Sequence, residues 1–496
     1  MTFAQIDEAT DLGFLSRQRG QGQLGHWIGG RSVAGVGDHL PVLCPWDGAE
    51  LAEVPLGGAA EVEAAVAAAA AAFPAWRDRN VRERAQVMFR FRTLLAEEID
   101  ELARGISAEN GKTFAEAKAE LMKGMEVVEF ATALPHLAPG RIAEVAAGID
   151  CMVTREPLGV VASVTPFNFP AMVPLWTIPT ALTTGNTMIL KPSEQAPITA
   201  LRIAKLLDRA GLPAGVFNVV HGGRAAVEAI LEHPEVRAVS FVGSTPVARA
   251  VYRRGTAHDK RVLALGGAKN HLIVMPDADP DLTAKAVLEA ATGCAGQRCM
   301  AASVLVAVEG SEPMLERLAE RARALRVAVD MGAIISRAAA DRIQGAIGRA
   351  ASEGAQLVVD GRAPRLPAAL GEGYWVGPTV LDGVSATSPV AREEIFGPVL
   401  SVVRVRSLDE ALAIENGNDF GNAAAIFTES GAAAREVARR ASAGMIGVNV
   451  GVPVPRDPFG FGGWNESKFG VGDITGEGSI GFWTRDKKVT MRWSLR

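Results

Sequence analysis

The sequence has few of the features that mark secreted, metal-binding or nucleic-acid-binding proteins. Its 496 residues include four cysteines, Cys44, Cys151, Cys294 and Cys299, whose uneven spacing gives no disulfide framework. No cluster of cysteine and histidine has the spacing of a zinc site, so we expect no metal. The formal net charge of −5 offers no basic surface to nucleic acid or to an anionic membrane.

Long apolar runs are missing as well. The longest, Ala64 to Phe73, is mostly alanine and far shorter than the roughly 20 residues of a membrane-spanning helix. Alanine is the best helix former, so the run predicts a helix that ends at Pro74, with a low-complexity interaction segment as the alternative. The opening stretch, MTFAQIDEATDLGF, lacks the basic start and apolar core of a signal peptide. We therefore expect a cytoplasmic protein that is not exported.

The residues that are abundant indicate a large globular protein. Hydrophobic residues make up 48% of the chain, and at about 100 to 200 residues per domain its length predicts two or three domains with large cores. The N-terminal part is mainly helical in pattern. From Val81 to Leu102, apolar residues recur at steps of three and four, which predicts one surface helix packed on a core.

From Pro157 onward, short β-branched runs alternate with helical segments. The runs are VVASVT, NTMIL, VFNVV and RAVSFVG. They are apolar throughout, which is typical of parallel strands covered on both faces, so we predict a doubly wound nucleotide-binding sheet. No GxGxxG fingerprint follows any of them. The nearest sequence, His221-Gly222-Gly223-Arg224, fits a phosphate-binding turn and an ordinary turn equally well.

A second α/β block extends from about Asn270 to about Val450, with strands predicted at HLIVM, SVLVAV and VLSVVRV. Two further segments, Arg141 to Arg155 and Thr484 to Trp493, look like isolated strands that need partners from elsewhere. A sheet shared between subunits is one solution.

The sharpest chemical feature is Gly296-Gln297-Arg298-Cys299-Met300, between a predicted helix and the strand SVLVAV. Cysteine is a nucleophile only as the thiolate, and a loop position beside Arg298 is one where its pKa could fall. The alternative is a buried structural thiol, because free cysteine is among the most buried residue types. For Cys294, in the helical part, we keep that structural interpretation.

Two more candidate features follow the first two strands of the parallel sheet. Asn168, in TPFNFP, lies where such sheets bind ligands, and its amide could donate to a developing oxyanion. Lys191 and Glu194, in KPSE, could offer an ammonium and a carboxylate to a ribose. Taken alone, each feature could also be a simple turn.

These motifs occur in order together with FVGST, GGAKNH and EEIFGP. In this respect the sequence resembles the aldehyde dehydrogenase superfamily over nearly its whole length. PFNFPAMVP, GAKNH, GQRCM and GVNVGVPVP are similar to the branch that acts on methylmalonate and malonate semialdehydes and makes acyl-CoA with NAD.

The resemblance implies an α/β fold with two doubly wound Rossmann-type domains and a small β oligomerisation unit. The implied divisions are an NAD-binding domain (1–138 and 156–265), a catalytic domain (266–465) and an oligomerisation unit (139–155 and 466–496). That unit would combine the strand pair near Arg141 to Arg155 with the C-terminal strand KKVTMRW, exchanged between subunits, to give a dimer or a tetramer.

The resemblance also implies the roles of two residues. Cys299 would attack the aldehyde carbon, while Asn168 and the backbone N–H of Cys299 hold the oxyanion and hydride passes to NAD, leaving a thioester. Hydrolytic members then use the glutamate of an ELGGK motif as a base. Here Leu265 occupies that position and cannot take a proton. We therefore expect CoA as the acceptor, since a thiol needs less base assistance than water.

A carboxylated semialdehyde needs a cationic clamp, and the family's positions correspond to Arg298 and Lys123. Lys123 stands where the family has arginine, so the charge is kept and the planar fork is lost. For Arg298 the alternative is a structural surface arginine. With the branch's own substrates, a malonyl-type thioester would lose CO2 to give propionyl-CoA or acetyl-CoA.

Cofactor contacts implied by the resemblance surround the first sheet and the EEIFGP motif. They are Thr165, Phe167, Lys191, Glu194, Gln195, Ser244, Gly266 and Glu394. The carboxylate of Glu194 would repel a 2′-phosphate, which favours NAD over NADP. For Glu394 the alternative is a surface acid. The segment Arg326 to Ser336 is shorter than its family counterpart, and we expect a trimmed surface loop there.

Two other functions stay open on the sequence. One is a CoA-independent dehydrogenase for another small polar aldehyde, which Lys123 favours. The other is a catalytically silent NAD-binding relative, against which the joint presence of Cys299, Asn168, Lys191 and Glu394 speaks.

Overall fold

A computed structural model of the chain describes residues 13–366, 370 and 372–493. The N-terminal stretch that carries the expectation of no export signal lies almost entirely outside this range. The helices are α1 (Gly13–Arg17), α2 (Ala59–Arg77), α3 (Val81–Glu97), α4 (Ile99–Asn110), α5 (Phe114–Thr132), α6 (Leu134–Leu137), α7 (Met172–Thr183), α8 (Ile198–Arg209), α9 (Arg224–Glu232), α10 (Thr245–Ala257), α11 (Pro280–Thr292), α12 (Glu312–Ala324), α13 (Arg337–Ser352), α14 (Pro389–Arg392), α15 (Leu408–Asn416), α16 (Gly431–Arg440) and α17 (Gly476–Trp483).

The strands form two large sheets and three small ones. They are β1 (Gly25–Ile28), β2 (Arg31–Ala34), β3 (His39–Leu43), β4 (Glu50–Pro55), β5 (Arg141–Ala146), β6 (Ile149–Pro157), β7 (Val160–Val164), β8 (Thr187–Lys191), β9 (Phe217–Val219), β10 (Val236–Val242), β11 (Arg261–Leu265), β12 (Asn270–Val274), β13 (Ala302–Val308), β14 (Gln356–Val359), β15 (Thr379–Asp382), β16 (Val399–Val405), β17 (Phe420–Gly421), β18 (Ala423–Phe427), β19 (Met445–Val448), β20 (Trp464–Asn465), β21 (Lys468–Phe469) and β22 (Thr484–Arg492).

The first large sheet has the order β2-β1-β9-β8-β7-β10-β11-β21. Strands β9, β8, β7, β10 and β11 are parallel. The chain runs outward from β7 through β8 to β9 and then restarts on the other side of β7 with β10. The strand order therefore reverses between β7 and β10. Sheets of this kind bind ligands at such a switch point, beyond the carboxyl ends of the strands.

The second large sheet has the order β14-β15-β16-β13-β12-β18-β19, in which only β14 is antiparallel to its neighbour. Each large sheet is buried between helices, as the apolar runs predict. Leu265 ends β11 of the first sheet and Asn270 begins β12 of the second, so four residues join the two. The predicted fold class is confirmed.

The C-terminal strand β22 pairs along its whole length with β6, which also pairs with β5. Both isolated segments thus find partners within one chain, and no exchange between subunits is needed to satisfy β22. The domain division remains a prediction. Two elements of the segment 466–496, which is predicted to belong to the oligomerisation unit, contact the predicted NAD-binding domain: β21 pairs with β11, and α17 contacts α7.

Three local expectations are wrong. Helix α2 continues through Pro74 to Arg77, because the following turn is anchored by buried Trp76, whose Nε1 donates to the Leu182 carbonyl at 3.0 Å. The helix predicted over Val81 to Leu102 is two helices that meet at Glu98, where ψ is 11°. Both halves face the same core, which explains the continuous apolar period.

The third correction concerns the segment Arg326 to Ser336, which is an interior segment and not a surface loop. Met331 and Ile334 are completely buried. The Ala333 N–H donates to the Gly111 carbonyl at 2.7 Å, and the Ile335 N–H donates to Oε1 of Gln297 at 3.0 Å. The shortened connection therefore packs behind the loop that carries Cys299.

In the described ranges, no helix combines the length and apolar character needed to cross a membrane.

Candidate active site

Cys299 lies where two cavities meet, between the two large sheets. The front cavity, of about 340 Å³, is lined by Asn168, Ser244, Leu265, Cys299 and Glu394 among others. The rear cavity, of about 230 Å³, also reaches Cys299 and is lined by Lys123, Arg298 and Arg456 among others. A thiol in this position can be approached from two sides at once.

The loop that carries Cys299 has a conformation that depends on glycine. It begins with a 3₁₀ turn at Gly293–Gly296, in which Gly296 has a φ of +69°. A Cβ on Gly296 would lie 2.2 Å from the Gly397 carbonyl group, so the GQRCM loop and the EEIFGP loop can touch only with glycine here. This contact holds Cys299 and Glu394 at one cavity.

Two asparagines fix the backbone of Cys299. Its carbonyl accepts hydrogen bonds from Nδ2 of Asn270 at 2.8 Å and from Nδ2 of Asn422 at 2.9 Å. Sequence reasoning missed both residues. Asn270 lies in the quoted GGAKNH motif, but Asn422 is more than a hundred residues away and has no local signal.

Burial raises the pKa of the Cys299 thiol to about 12, and the Glu394 carboxylate contributes in the same direction. Arg298 does lower the thiol pKa, but its effect is smaller than those of burial and Glu394, so the expectation that the pKa falls is wrong for the free protein. The Arg298 guanidinium is drawn away, since its Nη2 donates to the Glu289 carbonyl at 2.6 Å and to the Ala290 carbonyl at 3.2 Å. The resting thiol is protonated at neutral pH.

Asn168 spans the gap between the first sheet and the Cys299 loop. Its side chain is buried, and Nδ2 donates to the Gln297 carbonyl at 2.9 Å. Since a primary amide has two N–H groups, the second remains for a substrate oxygen at Cys299. The backbone carbonyl of Asn168 accepts from Nζ of Lys112 at 2.7 Å.

Lys112 belongs to a buried ion pair that the sequence did not reveal. Its Nζ lies 2.6 Å from Oε2 of Glu120, and both side chains are almost fully buried. Oε1 of Glu120 accepts from the backbone N–H groups of Ala171 and Met172 at 2.8 and 3.0 Å. This pair ties helix α5 to the turn that contains Asn168. The only local sequence sign of this ion pair is Gly111-Lys112, directly before the helix cap Thr113.

Leu265 lines the front cavity with Cys299 and is 3% exposed. Among the described residues around this cavity, Glu394 is the one carboxylate. Burial raises the pKa of Glu394, and its Oε1 accepts from the Ala268 N–H at 3.0 Å. Burial lowers the pKa of nearby Lys269 to about 7. Position 265 itself therefore offers no carboxylate to the cavity that contains Cys299.

The rear cavity contains the predicted carboxylate clamp. Nζ of Lys123 lies 2.9 and 3.1 Å from the two carboxylate oxygens of Glu126. The guanidinium of Arg298 packs directly on Gly293, where a Cβ would lie 2.2 Å from Nη2 and would displace the guanidinium from its present position. The structure thus brings Lys123 and Arg298 to one cavity with Cys299, as the sequence predicts.

A long groove of about 920 Å³ runs beyond the carboxyl ends of β7, β8 and β10. Six of the predicted cofactor residues line it, namely Thr165, Phe167, Lys191, Glu194, Gln195 and Ser244. The other two, Gly266 and Glu394, line the front cavity, which Ser244 and Phe167 share. The groove therefore leads directly to Cys299.

The groove has the chemistry of a dinucleotide site. Nζ of Lys191 donates to the Gly222 carbonyl at 2.9 Å and lies 3.3 Å from Oε2 of Glu194. Helix α10 begins after Ser244 with no side-chain cap, so the first-turn N–H groups, apart from Pro246, which has none, can meet an anion such as a pyrophosphate. A Cβ on Gly266 would lie 2.7 Å from the Glu466 carbonyl oxygen, so this strand exit requires glycine.

A groove for a dinucleotide, a half-buried cysteine at its end and an asparagine amide beside that cysteine define a class of cysteine-dependent oxidoreductases. Comparison with known proteins gives the family. The model of the aldehyde dehydrogenase family matches residues 33–489, and the chain belongs to that family.

Among curated relatives, malonate-semialdehyde dehydrogenase of Pseudomonas aeruginosa is 45% identical over 484 residues, covering 96% of this chain and 97% of the relative. Malonate-semialdehyde dehydrogenase 2 of Geobacillus thermodenitrificans is 47% identical over 478 residues, covering 95% and 99%.

Two solved structures are similar throughout. Methylmalonate-semialdehyde dehydrogenase from Oceanimonas doudoroffii has a TM-score of 0.94 and 43% identity, covering 96% of this chain and 99% of the other. A protein provisionally described as a methylmalonate-semialdehyde dehydrogenase, from Sinorhizobium meliloti in complex with NAD, has a TM-score of 0.94 and 44% identity, covering 96% and 98%.

Proposed function

We propose that this protein oxidises malonate semialdehyde or methylmalonate semialdehyde with NAD and transfers the acyl group to CoA, giving acetyl-CoA or propionyl-CoA and CO2. The observation that carries this proposal is the pairing of Cys299 with Leu265 in one cavity. The cysteine can form a thioester, and the leucine cannot help water to break it. The names of the relatives supply the substrate class.

Cys299 is the nucleophile and Asn168 the oxyanion donor in this proposal. Cys299 reacts as its minor thiolate form, after the thiol proton has passed to solvent, and addition to the aldehyde carbon places the negative oxygen between the second Nδ2 hydrogen of Asn168 and the Cys299 N–H. Because Nδ2 of Asn168 is already bound to the Gln297 carbonyl, its remaining hydrogen is held in place before the reaction. NAD, when bound, accepts the hydride from the aldehyde carbon.

The groove residues would hold NAD in the following way. Lys191 and Glu194 would contact the adenosine ribose with Gln195 beside them, Thr165 and Phe167 would flank the groove, and Ser244 would lie at the pyrophosphate. Gly266 and Glu394 would lie at the nicotinamide and its ribose. The Glu194 carboxylate, 39% exposed, disfavours a 2′-phosphate by repulsion.

The acyl enzyme persists because the side chain of Leu265 cannot deprotonate water. The CoA thiol supplies its own nucleophile and displaces Cys299 as the leaving thiol. In the malonyl-type thioester formed from a 3-oxo acid, the bond to the carboxylate can break first: CO2 leaves, the electrons pass into the thioester carbonyl, and the resulting enolate then takes up a proton. The Asn168 amide that held the oxyanion also stabilises this enolate.

The rear cavity would orient the substrate through its carboxylate, with Arg298 and Lys123 as cations. A CoA-independent dehydrogenase for another polar aldehyde is the second candidate. It is favoured by one observation: Lys123 is already paired with Glu126 and lacks the fork of an arginine.

We also propose that the protein is a homo-oligomer, a dimer or a tetramer, located in the cytoplasm. All six residues of β5 are exposed, including the apolar Ile142 and Val145. Within the described chain the outer edge of β5 has no strand partner, and such an edge is usually covered. The free thiols of the four cysteines fit a reducing compartment.

The test is NADH formation from malonate and methylmalonate semialdehydes, with and without CoA, with acyl-CoA and CO2 measured as products. We expect repeated turnover only with CoA, and CO2 in equal amount to acyl-CoA. The variant Cys299→Ala should form no NADH. Turnover without CoA that yields a free acid would favour the second candidate, and no NADH from any aldehyde would indicate a silent relative.

A further inference from the structure

The cations of the rear cavity are unequally available to a bound carboxylate. Lys123 is engaged by both oxygens of Glu126, at 2.9 and 3.1 Å, one turn further along the same helix. A substrate carboxylate that bound Lys123 would have to compete with this pair and would meet the Glu126 charge. Lys123 alone is therefore a weak anchor.

Arg298 is held in place by the protein. Its Nη2 donates to two backbone carbonyls at the end of α11. Its Nε is buried and has no partner among the described residues, which is costly unless a ligand supplies an acceptor. Arg298 can therefore offer the substrate an Nε donor whose position is fixed by the protein.

Arg456 enters the same cavity from the opposite wall. It lies on the segment after β19, and its backbone carbonyl accepts from the Phe459 N–H at 2.9 Å. The adjacent Asp457 accepts from the Gly476 N–H at 3.1 Å, so this wall of the cavity is fixed. The backbone that presents Arg456 is thus well defined.

The guanidinium of Arg456 is only loosely engaged. In the described part of the chain its nearest acidic oxygen is Oε1 of Glu126 at 3.8 Å, longer than a hydrogen bond. The side chain is 73% exposed. Its five donors are therefore available to an incoming anion, and the guanidinium stands next to the charge that neutralises Lys123.

We propose that Arg456 binds the carboxylate of the semialdehyde, supplying the arginine fork that position 123 lacks and setting the preference for carboxylated aldehydes. This inference rests on the proposed function, because it assigns a residue to the recognition of that substrate. The two carbons that separate the carboxylate from the aldehyde oxygen require a cation in the same small cavity as Cys299. Arg456, Arg298 and Cys299 meet this condition.

The experiment compares malonate semialdehyde with propanal, a neutral aldehyde of equal chain length, in the presence of NAD and CoA. Loss of a charge-assisted fork in Arg456→Gln should lower kcat/KM for malonate semialdehyde about 10- to 100-fold, mainly through KM. The value for propanal should change by less than about threefold, within the scatter of a substitution that removes no contact to it. The kcat/KM of Arg456→Lys for malonate semialdehyde should fall between those of the wild type and Arg456→Gln, because lysine keeps the charge and loses the fork.

The matched control is Arg439→Gln, which removes an arginine of similar exposure, 71%, on helix α16. It should leave both aldehydes unaffected. Introducing Lys123→Arg into the Arg456→Gln enzyme should restore part of the lost preference, since it returns the fork to the cavity.

Three results would overturn the inference. One is a preference for malonate semialdehyde that survives Arg456→Gln within about twofold, too little for a lost ionic hydrogen bond. Another is an equal loss with propanal, which would indicate damage to the loop. The third is an Arg456→Lys enzyme that keeps the full wild-type preference, because charge alone would then suffice and no arginine fork would be needed. A wild-type enzyme that does not prefer malonate semialdehyde would instead refute the proposed function itself.

Discussion

At the scale of single residues, the proposed function makes Leu265 the residue that decides which acceptor the thioester can use. Its side chain lines the cavity with Cys299 and cannot accept a proton. Replacing it with glutamate should create a base next to the acyl enzyme. We expect Leu265→Glu to form NADH repeatedly without CoA and to release a free acid, because water can then be deprotonated. The measurement is NADH formed per enzyme without CoA.

Leu265→Gln is the control, since it has the shape of glutamate without its basicity. It should stay at one turnover without CoA. If both variants turn over equally without CoA, added space for water explains the effect and the base argument fails.

Cys299 provides a prediction about pH. Its pKa of about 12 in the free protein means that the thiolate fraction grows about tenfold for each pH unit over the whole range from neutral to alkaline. We expect the rate of alkylation by iodoacetamide to rise steadily from pH 7 to pH 10, without a plateau, and to lie well below that of an unperturbed thiol at pH 7.5.

The site is followed by mass spectrometry of the Cys299 peptide, which separates it from Cys44, Cys151 and Cys294. Cys151, which is partly exposed on β6, serves as the internal reference. A plateau below pH 9 at Cys299 would contradict a thiol that is protonated at neutral pH.

At the scale of elements, helix α5 is the piece that joins the two sides of the site. It carries Glu120, which holds the Asn168 turn through Lys112, and Lys123 in the rear cavity. Its first turn is fixed by a capping box: Thr113 Oγ1 accepts from the Glu116 N–H at 3.3 Å, and Oε2 of Glu116 accepts from the Thr113 N–H at 3.0 Å. Oε1 of Glu116 also accepts from the Cys294 N–H.

Thr113→Val should therefore lower the free energy of unfolding by about 1 kcal/mol, because it removes an N-cap while keeping the size and branching of the side chain. Urea unfolding measures the change. Thr93→Val, within α3 and exposed, is the control and should cost less than about 0.5 kcal/mol. Equal effects at the two positions would mean that the cap does not hold α5.

At the scale of the whole molecule, the three-stranded sheet β5-β6-β22 stands apart from the two large sheets and offers an open edge. If subunits associate through it, charge on β5 should prevent association. We expect the double variant Ile142→Asp, Val145→Asp to elute as a folded monomer of 52.0 kDa in size-exclusion chromatography with light scattering, whereas the wild type is larger.

Leu282→Asp is the control, because Leu282 is equally apolar and 70% exposed, but lies on α11. It should keep the wild-type mass. A double variant that stays oligomeric would place the interface elsewhere on the molecule.

The sequence by itself determined the fold class, the order of the strands along the chain and most of the candidate residues that line the groove and the two cavities. Buried parallel strands appear as continuous apolar runs. Residues at or just after the end of such a run, such as Thr165, Asn168 and Lys191, therefore lie at the carboxyl ends of the strands. Such signals are local, so they survive without knowledge of the tertiary structure. Leu265 at the base position was likewise visible in its motif.

The tertiary structure decided whatever depends on partners far away in the chain. The pKa of Cys299 follows from burial between two sheets and from Glu394, neither of which the neighbouring Arg298 reveals. Asn168 meets the carbonyl of Gln297 across 129 residues, and Arg456 reaches the cavity of Lys123 from more than three hundred residues away. Desolvation and long-range contact energies exist only after the chain has packed, so local sequence patterns cannot contain them.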